Sequence, residues 1–198
     1  MMRFINFLFN LLNVNYKKDA FLDEYYTTIG DTIFVPGTVD LNMLSDWGNL
    51  LHEITHVYQR HKFTFPLFAY LYLFPISGGL LTILAGFVLF GFKQITAGAF
   101  CIGIGSVQLI PYWPDPFRTR FEYQAYGVSL YCAYLRKVDL NDKVINNFVE
   151  IFTDMSYYKM INNKQKIRNK FSNLCNAIYA QKYNRSSHPV LKYLPKTI

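Results

Sequence analysis

Apolar residues recur at spacings of three and four over much of this chain and run almost unbroken through its middle. Leu41, Leu44, Trp47, Leu51, Ile54 and Tyr58 fall on one side of a 3.6-residue repeat, which predicts a buried helix over residues 46–60 with Ser45 as its N-cap. Phe121, Ala125, Val128, Cys132 and Leu135 predict a second buried helix. Val144, Ile145, Phe148, Ile151, Phe152 and Met155 place another over residues 141–160, and Ile167, Phe171, Leu174 and Ile178 mark one more. Residues 25–40, with Thr, Ile, Phe and Val between turn formers, read as a hairpin or edge strand ahead of the first buried helix. The pattern as a whole predicts a mainly α fold with a small β-hairpin or sheet.

The apolar middle is of another kind. Between Phe65 and Pro114 the only charged residue is Lys93, and residues 65–92 and 94–113 form two apolar runs around Gly91-Phe92-Lys93-Gln94. Crossing a bilayer takes about 20 mostly apolar residues, a length both runs reach. Pro75, Ser77, Gly78 and Gly79 interrupt the first run and predict a kink or an early stop. Tyr70, Tyr72, Tyr112 and Trp113 sit near the outer ends, where aromatic rings favour the headgroup boundary. Ala97, Gly98, Ala99, Gly103 and Gly105 give the second run a small-residue face suited to close packing. The expectation is a transmembrane hairpin over residues 65–113; the alternative is a hairpin buried in a protein core or an assembly. If it spans, Arg60, Lys62, Arg118 and Arg120 outweigh Lys93 and place both ends in the cytoplasm.

At the start of the chain Arg3, Asn6, Asn10, Asn13 and Lys17 form one polar stripe among Phe, Leu and Ile. That pattern predicts an amphipathic helix over residues 1–18, lying in a headgroup layer or packed on the domain. No small-residue cleavage site follows it, so it does not read as a signal peptide. Residues 19–198 read as a single domain into which the hairpin is inserted.

Charge adds a direction. The formal net charge is +7, and no acidic residue follows Asp154, whereas nine lysines and arginines lie between Lys159 and Lys196. Beyond a plain solvated face, the basic region over residues 156–198 fits anionic lipid headgroups as a partner. Nucleic acid is disfavoured, because no recognised binding motif accompanies the charge. Cys101, Cys132 and Cys175 show no paired spacing, which points to a reducing environment without a disulfide framework.

The chemistry concentrates in residues 52–56, His-Glu-Ile-Thr-His. On a helix His52 and His56 stand one turn apart on one face, so two imidazoles can reach one metal ion. Glu53 lies about 100° further round, close enough to serve a reacting water without being a ligand. The set suits zinc, which takes imidazole nitrogen readily and keeps a position open when catalytic. A third protein ligand is required. His61 falls on the opposite side of the helix from His52, and His188 sits in the polar basic tail. Glu122, an acidic residue inside an apolar helix, is the better candidate, since a buried carboxylate demands a cation. Ala125, one turn on, allows close approach of the two helices, and Tyr126 would then face the metal. The competing reading pairs Glu122 with Arg118 as an ordinary i−4 salt bridge.

These residues carry a resemblance. HEITHVYQRH, followed after the apolar middle by RTRFEYQAY, resembles the gluzincin metallopeptidases, and most closely the membrane HtpX-like and CAAX prenyl endopeptidase type. The matching positions are His52, Glu53, His56, Arg60 and His61, then Arg118, Arg120, Glu122 and Ala125. Small phage-encoded HExxH proteins are another set of possible relatives. The resemblance implies an α+β zincin-like fold, Zn2+ held by His52, His56 and Glu122, and Glu53 as general base. It also implies a strand near the zinc that binds extended substrate by backbone pairing, for which residues 32–35 could serve. Two departures stand out. The family's acidic residue after the alanine is Tyr126 here, which leaves open what orients a histidine ligand. The chain is also short for the family, with no pair of spanning helices before the HExxH.

The function expected on this basis is a zinc-dependent, membrane-associated metalloendopeptidase acting on a peptide or protein substrate. Tyr126, Tyr123, His61 and Arg118 are the candidates for stabilising the oxyanion. The rival is a non-enzymatic membrane-anchored or virion structural protein that keeps a zincin-like fold and uses the hairpin and basic tail to insert or assemble, as a homo-oligomer or within a larger assembly.

Overall fold

The computed structural model describes residues 2–19, 26–37, 47–110, 115–154, 160–180, 182 and 190. Among them are eight helices and a three-stranded mixed sheet, so the chain is mainly α with a small sheet, as the periodicities predict. Leu41, Leu44, Ser45 and His188 lie outside the described residues, as do Lys159, Arg185, Lys192 and Lys196 of the basic region.

Helix α1 (Met2–Leu12) is shorter than the 18 residues its polar stripe suggested. Asn13 adopts a left-handed backbone, φ 49°, and Val14 N donates to Phe9 O at 2.8 Å, a C-terminal stop of the kind asparagine can make. The chain then extends as β1 (Asn15–Asp19), which takes Lys17 off the helix stripe and into a sheet. Strands β2 (Thr27–Ile29) and β3 (Thr32–Pro36) form the expected hairpin, turning through Gly30 at φ 62°. The strand order is β1-β3-β2, with β1 parallel and β2 antiparallel to β3. The strand over residues 32–35 is therefore central. Its Ile33 pairs Tyr16 on one side and Thr28 on the other, so its backbone has no free edge for a substrate. Ile33 and Val35 point to the covered face and are fully buried.

The chain divides into two compact units. The first comprises Met1–Phe65, Phe121–Ile145 and Lys170–Ile198. Its spine is α2 (Trp47–Lys62), which packs Leu50, Leu51, Ile54 and Val57 away from solvent and lies against α1, β2 and β3. Helix α6 (Pro116–Leu135) contributes buried Phe121, Ala125, Val128 and Cys132, the stripe read from the sequence. The two helices run antiparallel. Ser129 Oγ donates to Gly48 O at 3.0 Å near one end, and Gln59 Nε2 donates to Phe121 O at 3.0 Å near the other. Helix α8 (Lys164–Tyr179) adds Phe171, Leu174 and Ile178, and its Tyr179 Oη donates to Asp139 and accepts from Leu140 N just beyond α6. Helix α7 (Asp142–Thr153) ends earlier than residue 160, and Met155 of its predicted stripe lies outside the described residues.

The second unit comprises Pro66–Arg120 and Asn146–Asn169. The first apolar run breaks where Pro75 interrupts it, into α3 (Phe65–Tyr72) and α4 (Ile76–Gly91), bent by 104°. Helix α5 (Ile95–Gln108) returns along α4 after a turn in which Lys93 takes φ 62°. Glycines make this hairpin tight. A Cβ on Gly105 would lie 2.6 Å from Gly79 O, and one on Gly86 would lie 2.8 Å from Gly98 O, so the backbones touch where side chains would otherwise intervene. The outward faces are apolar: Leu84, Phe87 and Phe100 are each about 60% exposed or more. No single helix among the described residues is long and apolar enough to cross a membrane; α3 and α4 reach that length only as a bent pair. Tyr112 and Trp113, at the end of the second run, lie outside the described residues.

Candidate metal centre

The centre is built on facing turns of α2 and α6, within the first unit. His52 and His56, one turn apart on α2, bring their Nε2 atoms to 3.1 Å of each other. Glu122 Oε2, from α6, lies 3.3 Å from His52 Nε2 and 3.6 Å from His56 Nε2. All three residues are buried. Among the described residues they form the one group of histidine, cysteine or carboxylate side chains placed to hold a metal ion. The dimensions fit. Ligand atoms about 2.0–2.1 Å from a tetrahedral ion stand about 3.3–3.4 Å apart, and the three observed edges bracket that value. Glu122 thus contacts both histidines across the helix pair. Arg118, in the second unit, lies over the Tyr72 ring at 5.0 Å, and its backbone N–H is received by Asp115 at the start of α6.

The electrostatics follow from burial with charge compensation. Burial alone would lower the His56 pKa. The charge and hydrogen bond of Glu122, the charge of Glu53 and a hydrogen bond to Gln59 overcome it and push the value up to about 9. Burial likewise opposes ionisation of Glu122, but the charge of His56 and hydrogen bonds from both imidazoles hold the carboxyl well below its ordinary range. Protonated His56 neutralises Glu122, and the pair presents an anion and two imidazole nitrogens to any cation that replaces the proton.

Around the ligands stand residues that the sequence foretold and others that it did not. Glu53 is half-buried on α2, and its Oε2 accepts a hydrogen bond from Thr28 Oγ1 at 2.6 Å. Thr28 belongs to edge strand β2, so its arrival at Glu53 depends on tertiary packing and left no trace in local sequence. Tyr126 packs its ring edge-on against His52, centroids 4.4 Å apart. The other oxyanion candidates are engaged elsewhere. Tyr123 Oη donates to Lys170 O and its ring meets Phe171, while His61 is exposed and pairs with Asp31 at 2.9 Å. Gln59 was not foreseen as part of the centre. It is buried, one turn beyond His56, and touches the Nδ1 of that ring at 2.9 Å. Its signal was a polar residue at i+3 from a ligand on a buried helix face. Comparison with protein-family models, with curated proteins and with solved structures finds no match for this chain.

Proposed function

We propose that the chain is a zinc-dependent, membrane-associated metalloendopeptidase of gluzincin type. One observation carries the reading: a buried His52–His56–Glu122 triangle placed to hold a metal ion, with the Glu53 carboxylate on the adjoining helix position. Two imidazole nitrogens and one carboxylate suit zinc, which takes such donors in a tetrahedral site with one position left open. When bound, zinc supplies Lewis acidity toward a carbonyl oxygen and acidifies water.

The residues divide the remaining work. Glu53 takes the proton of the attacking water and delivers it to the departing amine. Thr28, donating to Oε2, fixes the carboxylate and leaves Oε1 for the proton. Tyr126, whose ring packs edge-on against His52, is our candidate for donating to the oxygen that gains charge. The apolar hairpin and the basic charge support a lipid bilayer as the second partner, with the zinc centre on its cytoplasmic side if the hairpin spans.

The test is a zinc titration with a pool of quenched fluorescent peptides. Glu122→Ala should lose zinc, and Glu53→Gln should keep zinc while peptide cleavage falls by at least a hundredfold. Cleavage by Glu53→Gln at the wild-type rate would refute the peptidase reading. Wild-type protein that binds zinc and cleaves nothing in the pool would favour the non-enzymatic structural role.

A further inference from the structure

We propose that Gln59 is the positioning residue of the centre: it fixes the His56 ring so that Nε2, and not Nδ1, is the metal-binding nitrogen. The assignment rests on the metal-centre reading above and adds to it the residue that does the work of the missing acid.

Gln59 makes three contacts, two of them buried. Its Nε2 donates to Phe121 O at 3.0 Å and to Gln124 Oε1 at 3.1 Å, and its Oε1 meets His56 Nδ1 at 2.9 Å. The backbone carbonyl of Phe121 can only accept a hydrogen bond, so the nitrogen end of the Gln59 amide must face it. That leaves the oxygen end for His56. An amide oxygen can only accept, so Nδ1 of His56 must carry the proton. With Nδ1 protonated, a neutral imidazole has its lone pair on Nε2, the atom turned toward Glu122 and His52. A backbone carbonyl on α6 thereby sets, through one amide, the tautomer of a ligand on α2.

The sequence departure makes sense on this arrangement. An acid that accepts from a histidine ring N–H is replaced by a neutral glutamine on the ligand helix itself. The centre then holds one buried carboxylate, Glu122, alongside the half-buried Glu53. A second buried negative charge here would have to be desolvated.

Two substitutions separate positioning from mere tethering. Gln59→Glu keeps an acceptor for His56 Nδ1–H but loses both donations to α6; Gln59→Leu loses all three contacts. Zinc affinity, measured by competition with a chromogenic chelator, should fall 10–100-fold in Gln59→Leu and stay within about fivefold of wild type in Gln59→Glu. If the residue only ties two helices together, both variants fall alike, and the proposal is overturned. It is equally overturned if Gln59→Leu binds zinc as wild type does. A measurement on the unaltered chain stands behind these should either variant fail to fold. Long-range proton–nitrogen correlation spectra of the zinc-loaded protein should show His56 metallated at Nε2 with a slowly exchanging Nδ1 proton. Metallation at Nδ1 overturns the proposal. Wild-type protein that takes up no zinc would remove the metal centre itself, an outcome distinct from both.

Discussion

The Glu122 carboxylate favours a protonated His56 beside it, and this has a measurable consequence. Raised from 6.5 to about 9, the His56 pKa gives a contribution to stability that is whole below pH 6.5 and fades as the pH climbs through 9. Glu122, held low, contributes above its ordinary 4.5 and loses that contribution as the solution is acidified below it. Chelator-treated protein should therefore melt highest between about pH 5 and 6.5 and lose melting temperature steadily from pH 7 to 9.5. Saturating zinc takes the place of the proton and should flatten the alkaline limb. A chelated protein with the same melting temperature at pH 6.5 and 9.5 would contradict the coupling. At this scale the ligands were legible in advance because their spacing is local: His52 and His56 share a face by helical geometry, and Glu122 stood out as an acid in an apolar stripe. Thr28 and Gln59 were not legible, since what they do depends on a partner 25 or 62 positions away.

Among the elements, the ligand helices were readable from periodicity and the N-terminal region was only half so. The stripe of Arg3, Asn6 and Asn10 does lie in a helix, yet Lys17 goes to a strand because β3 offers five paired positions to residues 15–19. A long-range pairing of that kind overrides local pattern. The first apolar run likewise had the length of a span, and Pro75 with its flanking break divided it. The hairpin that results depends on which glycines meet. Gly103 and Gly105 lie two residues apart on α5, but a Cβ on Gly103 meets nothing within 4 Å while one on Gly105 meets Gly79 O at 2.6 Å. Gly103→Ala should leave the melting temperature unchanged or raise it, by up to about 1 kcal/mol of helix propensity. Gly105→Ala must push α4 and α5 apart and should destabilise by about 1–3 kcal/mol. Thermal melts in mild detergent compare the two directly. Equal effects from the pair would show that α4 and α5 do not approach through these glycines.

For the molecule as a whole, the membrane reading asks how a chain with net charge +7 and an exposed apolar hairpin would meet a bilayer. Sixteen residues of α4 and fourteen of α5 rise about 24 and 21 Å, short of a hydrocarbon core of about 30 Å. Insertion therefore does not depend on crossing. On the membrane reading proposed above, exposed Leu84, Phe87 and Phe100 would enter the acyl layer while Lys93, at the turn, would extend its ammonium toward a headgroup. Two forces then act together and salt separates them. Burial of apolar side chains is indifferent to ionic strength, whereas each lysine or arginine near an anionic surface adds about 1 kcal/mol that fades within a Debye length. Flotation with neutral phosphatidylcholine vesicles should persist at about 0.5 M salt, where the Debye length has shrunk below that of physiological buffer. Phosphatidylserine should increase recovery at low salt alone. Replacing Leu84 and Phe87 together with aspartate should abolish flotation with neutral vesicles, since a charge in the acyl layer costs about 2.5–3.5 kcal/mol. The zinc affinity of that double variant gives the check on folding, because its ligands belong to the other compact unit. A variant that binds zinc normally and still floats with neutral lipid would show that the hairpin is not what holds the protein to the membrane.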